Sequence, residues 1–109
     1  MPEPNSLIVA IYAIFGSPGE AEAIGRSMVE QRLAACVNIL GPCRSIYRWQ
    51  GEVEQADEVA AIFKTRQERV EALMRAIHLA HSYDVPAIVQ LPIAASHREY
   101  WDWVIAETR

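Results

Sequence analysis

An α+β sandwich is the fold class that this 109-residue chain predicts, on three observations. Strand-like apolar runs and helical periodicities follow one another in the order strand, helix, strand, strand, helix, strand, helix. Each helical stretch opens on a capping-box signature: Ser17-Pro18-Gly19-Glu20, Thr65-Arg66-Gln67-Glu68 and Ser96-His97-Arg98-Glu99. The stretch from Ala34 to Thr65 reads as two long strands meeting at a tight turn, a central hairpin against which the other elements must find their places.

Met1 to Ser6, with Pro2 and Pro4, reads as a loose leader to a single domain spanning 1–109. Leu7 to Phe15 is an apolar run rich in β-branched residues, which suits a central strand covered on both faces. In the first helix Ser17 is the expected N-cap, Pro18 the first helical residue and Glu20 the group that reaches back to the cap. The helix carries an apolar stripe of Ala21, Ile24, Gly25, Met28 and Val29, and Gly25 lets it sit close to the sheet.

The hairpin's first arm alternates from Ala35 to Leu40, breaks at Gly41-Pro42, and resumes through Ile46, Tyr47, Arg48 and Trp49. Gln50-Gly51 supplies the residue that best takes positive φ in a hairpin turn. The return arm passes an acidic stretch (Glu54, Asp57, Glu58) into the apolar run Val59 to Phe63. At about 3.3 Å per residue the arm from Ala34 to Trp49 would span roughly 50 Å, more than the ~35 Å diameter of a compact domain this size. The tip therefore overhangs the core. It exposes Ile46, Tyr47 and Trp49, and from this a partner subunit is expected to cover them.

Beyond the hairpin, Val70, Leu73, Met74, Ile77 and His81 mark one face of a second helix. A short strand, Ala87 to Leu91, lies between Pro86 and Pro92 and suits a sheet edge. The last helix, with Tyr100, Trp101, Trp103, Val104 and Ile105, leaves little polar surface. The order βαββαβ plus a C-terminal helix is the split βαβ pattern of a ferredoxin-like sandwich, with two helices on one face of an antiparallel sheet.

Composition narrows the function classes. A formal net charge of −4, with basic residues scattered among carboxylates, argues against a nucleic-acid surface. No apolar run reaches membrane-spanning length, and no basic region precedes the longest one, so a soluble, cytoplasmic protein is expected. Cys36 and Cys43 lie too far apart on an extended arm for a disulfide and read as free thiols, which agrees with a reducing compartment. Cys36 reads as a small core residue.

His81 continues the apolar stripe of the second helix, whereas His78 falls on the solvated face with Glu71 and Arg75. A histidine near a helix C-terminus gains by facing the dipole, and this accounts for both; alternatively His81 is a neutral ligand for copper or zinc, completed by Cys43, a carboxylate or a second subunit. Lys64, at the end of an apolar strand, either snorkels to solvent or joins His81 and Tyr83 around a small anion. The chain contains no Gly-rich phosphate loop, nucleophile elbow or spaced carboxylate pair, and so is not expected to be an enzyme.

A series of ordered motifs resembles the CutA divalent-cation-tolerance family: Arg32-Leu33-Ala34-Ala35-Cys36-Val37-Asn38, Ser45-Ile46-Tyr47-x-Trp49-x-Gly51, Lys64-Thr65, His81-x-Tyr83-x-x-Pro86, Leu91-Pro92 and Tyr100. The resemblance covers about residues 6 to 107. It implies a cytoplasmic homotrimer in which neighbouring hairpins pair, an architecture similar to that of PII signalling proteins, and a role in tolerance of copper and other divalent cations. No cofactor is obligatory; Cu(II) or Zn(II) is the implied ion. His81 matches a proposed copper ligand of the family, and Lys64 and Tyr83 match positions near the cleft between subunits. Ser82 replaces the usual proline, and Phe15 stands where some members carry a cysteine. The second functional reading is a PII-like sensor of a small anion in the intersubunit cleft, with Lys64 and His81 as anchors.

Overall fold

The computed structural model describes residues 6–109. Its elements run β1 (Ile8–Phe15), α1 (Pro18–Glu30), β2 (Cys36–Trp49), β3 (Glu52–Arg66), a 3-10 turn (Gln67–Arg69), α2 (Val70–Ala80), β4 (Ile88–Pro92) and α3 (Arg98–Glu107). The strands form one antiparallel sheet in the order β2-β3-β1-β4. Of the expected leader, residues 1–5 lie outside the described residues. Ser6 is buried, and its carbonyl accepts the Trp101 indole N–H at 3.1 Å, which fastens it to α3.

Alternation in β1 divides the core in two. Val9, Ile11, Ala13 and Phe15 pack with Ala61 and Phe63 of β3 beneath Ile24 and Met28 of α1 and Leu73 and Ile77 of α2. On the opposite face, Ile8 and Ala35 pack under Val104 and Ile105 of α3. Thus two helices cover one face and α3 covers one end of the other, and β1 is buried along nearly its whole length.

At the start of α1, Ser17 Oγ accepts the Glu20 N–H at 3.1 Å, as expected of an N-cap. The Glu20 carboxylate, however, reaches past the cap to Gly16 N–H at 3.1 Å and across to Ser82 N–H at 2.9 Å. Gly25 is in close contact: a Cβ there would lie 2.9 Å from Val37 Cγ1. Val29, by contrast, lies at the exposed edge of the helix.

The other two capping boxes do not form. Thr65 stays in β3, which keeps pairing with β1 through Arg66, and the buried Thr65 hydroxyl donates to the Leu33 carbonyl at 2.7 Å. The chain then passes through the 3-10 turn into α2 without a side-chain cap. Ser96 Oγ donates to the His97 carbonyl, and α3 starts at Arg98 after the N-cap residue His97 with no side-chain cap.

The hairpin turns on Gln50 (φ 50°) and Gly51 (φ 85°), both left-handed, the geometry of a two-residue type I′ turn. At Gly41 (φ 104°) the ladder shifts register: Ile39 faces Ala61, Gly41 faces Ala60, and Leu40 is the extra residue of a bulge. The strand bends there without ending. The molecule extends 49 × 26 × 22 Å, consistent with a hairpin that outruns its core, and Ile46 and Val53 at the tip are 68% and 64% exposed. Among the described residues, no helix is long and apolar enough to cross a membrane.

Candidate functional site

Four segments meet at the end of the sheet where β1 leaves it: Ile14 to Gly16, the first turn of α1, the residues after α2, and the middle of the hairpin. His81 does not extend α2. It is the C-cap residue with extended backbone (ψ 144°), which turns the chain and places its buried ring over β1. The imidazole stacks on Phe15 (centroids 5.1 Å apart, planes 14° apart) and tilts against Tyr83 at 4.8 Å. Nε2 lies 2.7 Å from the Ile14 carbonyl, which can only accept, while Nδ1 accepts the Tyr83 N–H at 3.0 Å. The partners therefore define a neutral ring with its proton on Nε2.

Tyr83 extends the chain of contacts. Its hydroxyl donates to Glu58 Oε2 at 2.8 Å, and it lies where a Cβ on Gly16 would come within 3.1 Å. Burial first, then the bond to Glu58 and the negative charge of Glu58 and Glu20, push the Tyr83 phenol up to about 12. For Glu20 burial raises the pKa, but hydrogen bonds from Ser82 and Gly16 outweigh it and hold the carboxyl below its ordinary value. Glu20 thus joins the start of α1 to the loop after α2. His78, exposed, holds the Asp84 carbonyl at 3.2 Å from Nε2 and fixes the far side of the same loop.

Of the three residues expected to share an anion pocket, one chain brings together only His81 and Tyr83. Lys64 pairs with Ala10, four positions or about 13 Å along β1 from Ile14. Its ammonium donates to Asn38 Oδ1 at 2.6 Å and lies 5.9 Å from the Tyr100 ring centroid, beside α3. It meets an amide where an anion was expected. Next to it the Cys36 Sγ is 3.4 Å from Tyr100 Oη; burial and this contact push the Tyr100 phenol up. Cys36 is half-buried against α3.

Both cysteines are free thiols. Cys43 faces Glu58 across the β2–β3 ladder. Among the described residues no three His, Cys, Asp or Glu side chains gather closely enough to hold a metal ion, and His81 has both nitrogens committed to backbone. The residues of one chain therefore do not fit a ready-made metal centre. Phe15 occupies the face of His81 with its ring.

Sequence reasoning missed Glu58, which looked like one more solvated carboxylate yet is only 7% exposed. Its alternation with Ala60 and Ile62 was the available signal. Between the inner face of the hairpin and the loop after α2 lies a cleft of about 460 Å³, walled by Ile14, Tyr47, Trp49 and Tyr83 with Glu58 and Asp84.

Fold and site together define a small α+β protein built on one antiparallel sheet, with a projecting hairpin and a polar centre tied to the backbone. A family model described as CutA1 divalent ion tolerance protein matches residues 9–107. The chain belongs to the CutA1 divalent-ion-tolerance family. It is similar to the divalent-cation tolerance protein CutA of Thermus thermophilus, 47% identical over 81% of this chain and 85% of that protein, and to that of Pyrococcus horikoshii, 36% identical over 94% and 99%. Among solved structures, the protein described as periplasmic divalent cation tolerance protein CutA from Archaeoglobus fulgidus superposes with a TM-score of 0.92 at 37% identity, covering 94% of this chain and 100% of that one.

Proposed function

We propose that this chain is a non-enzymatic, cytoplasmic homotrimer with a ferredoxin-like core that takes part in tolerance of copper and other divalent cations. One observation carries the assembly: β2, an edge strand of 14 residues, holds Ile46 (68% exposed), Tyr47 (42%) and Trp49 (46%) beyond the core. A long unpaired edge with large apolar side chains is a template for pairing with another chain, and a neighbouring hairpin supplies the match. Two free thiols support a reducing compartment. One relative is described as periplasmic, so cell fractionation is the check on location.

Copper or zinc at His81 requires the ring to give up either the Tyr83 N–H or the Ile14 carbonyl, with Cys43 of a neighbouring subunit as a further donor. Such binding is weak because it breaks a backbone bond to form.

Sedimentation equilibrium at micromolar concentration tests the assembly, with three times the 12.2 kDa chain mass expected. A mass of one chain would overturn it. Calorimetric titration with copper(II) tests the metal: saturable heat that His81→Ala abolishes supports binding there, and heat unchanged by the substitution removes His81 from the reading.

A further inference from the structure

The two nitrogens of His81 meet neighbours of unequal firmness. The Ile14 carbonyl that accepts Nε2–H belongs to β1, which pairs with β3 on one side and β4 on the other, and the Ile14 N–H itself donates to the Ala87 carbonyl at 3.1 Å. The Tyr83 N–H that covers Nδ1 belongs to residues 82–87, which join neither a strand nor a helix. Moving the first would break the sheet. Moving the second breaks only the bonds that tie the segment down.

Those ties are few. Glu20 Oε2 accepts the Ser82 N–H at 2.9 Å while Oε1 accepts the Gly16 N–H at 3.1 Å, so one carboxylate staples the segment to the turn that leaves β1. Further along, the Tyr83 hydroxyl donates to Glu58 and His78 holds the Asp84 carbonyl. Ser82 lies between His81 and Tyr83, which makes Glu20 the tie beside the Nδ1 contact. The ring matches this asymmetry: Nε2 carries the proton and donates it to a backbone carbonyl, as metal-bound imidazoles do with the nitrogen turned from the metal, and Nδ1 carries the lone pair. Only Nδ1 can meet an electrophile without a prior proton shift.

We propose that residues 82–84 form a gate over Nδ1 of His81, that Glu20 is the positioning residue that latches it, and that a cation or other electrophile reaches the imidazole through Nδ1 alone. This deepens the metal reading of His81 and rests on it only where copper is concerned. All the groups come from one chain, and none is a tip residue that a neighbouring hairpin is proposed to cover. A gate that is mostly closed lowers every ligand's apparent affinity by the fraction of molecules that are open. Cutting the latch should therefore lower stability and yet tighten binding.

Diethyl pyrocarbonate, which acylates unprotonated imidazole nitrogen, is added to the intact protein, and each histidine is followed by peptide mass spectrometry. His97, with its side chain 74% exposed, is the internal standard. In the parent, His81 is expected to react at least about tenfold more slowly than His97. Glu20→Gln keeps the backbone N–H that bonds Ser17 but sets an amide donor against one of the two N–H groups, and should speed His81 about tenfold with His97 unchanged. Gly25→Ala, which crowds Val37 and leaves the latch bonds in place, should not speed it. In the parent alone, hydrogen exchange of the Tyr83 amide should be insensitive to low urea, as local opening is. Copper(II) should bind Glu20→Gln about tenfold more tightly than the parent by calorimetry, and His81→Ala should remove that binding. The gate is overturned if His81 acylates as fast as His97, if Gly25→Ala speeds it as much as Glu20→Gln, if the Tyr83 amide exchanges only on global unfolding, or if copper binds at His81 no more tightly in Glu20→Gln. Absence of saturable copper heat in parent and variant alike would instead overturn the metal reading, and acylation and exchange then decide the gate.

Discussion

Gly25 lies where α1 comes closest to β2, and a single methyl tests that contact. Alanine is the better helix former by about 1 kcal/mol, but its Cβ would press on Val37 at 2.9 Å, and a β-branched side chain has few rotamers into which to retreat. Overpacking of this kind costs about 1–3 kcal/mol, so Gly25→Ala is expected to lower stability in urea titrations. With Val37→Ala already in place the same change should raise stability, because only the propensity gain is left. A second test at this scale is pH. The carboxyl of Glu20 is held below its ordinary value, so its contribution is present above about pH 4.5 and is lost as pH falls through the lowered folded value. Tyr83 is raised, so its contribution is complete below the ordinary phenol value of about 10 and is lost as pH climbs toward about 12. Denaturation midpoints measured against pH should flatten on the acid side in Glu20→Gln and on the alkaline side in Tyr83→Phe.

At the scale of elements, the hairpin turn carries a residue that is not ideal for it. Gln50 has φ 50°, a left-handed conformation that costs a residue with an ordinary side chain about 1–2 kcal/mol. Asparagine tolerates it better, and Asn-Gly is the preferred pair for a type I′ turn. Gln50→Asn is therefore expected to raise stability by up to about 1 kcal/mol, read as a later midpoint in denaturant with an unchanged slope. The turn was legible in the sequence because Gly51 is a local signal, and so were the interruption at Gly41-Pro42, which the structure makes a bulge, and the cap at Ser17. The supposed caps at Thr65 and Ser96 have the same local pattern but a different outcome. Strand pairing with β1 and the hydrogen bond to Leu33 hold Thr65 in β3, and these are long-range contacts that four residues of sequence do not encode. His81 went astray similarly: helical spacing continued through it, but its ring is held by Ile14 and Tyr83, and the backbone turns to let it.

For the whole molecule, the element order and the overhang could be read ahead of the structure because both follow from periodicity and length. The cleft could not, since Trp49, Glu58 and Asp84 meet only after the sheet and the loop have closed on one another. The proposed assembly makes a thermodynamic prediction at this scale. A chain that folds and associates together melts at a midpoint that rises with protein concentration. Scans over a hundredfold range should show that rise, and Ile46→Lys, a charge on the exposed tip, should abolish it while leaving the far-ultraviolet spectrum unchanged. A midpoint independent of concentration in the parent protein would go against association at these concentrations.

The place of β1 in the sheet also sets an order in time. This strand is near the beginning of the chain, yet it pairs on one side with β3 and on the other with β4, whose last residue is Pro92. At 5–20 residues per second, a ribosome takes on the order of 4 to 15 s to pass from Phe15 to Pro92. A hairpin forms in microseconds once its own residues have emerged, so β2 and β3 can pair while β1 still waits for its second neighbour. During that interval the run from Ile8 to Phe15 lacks one of its partners, and a chaperone that shields apolar strands would find it the most useful segment of the nascent chain to hold.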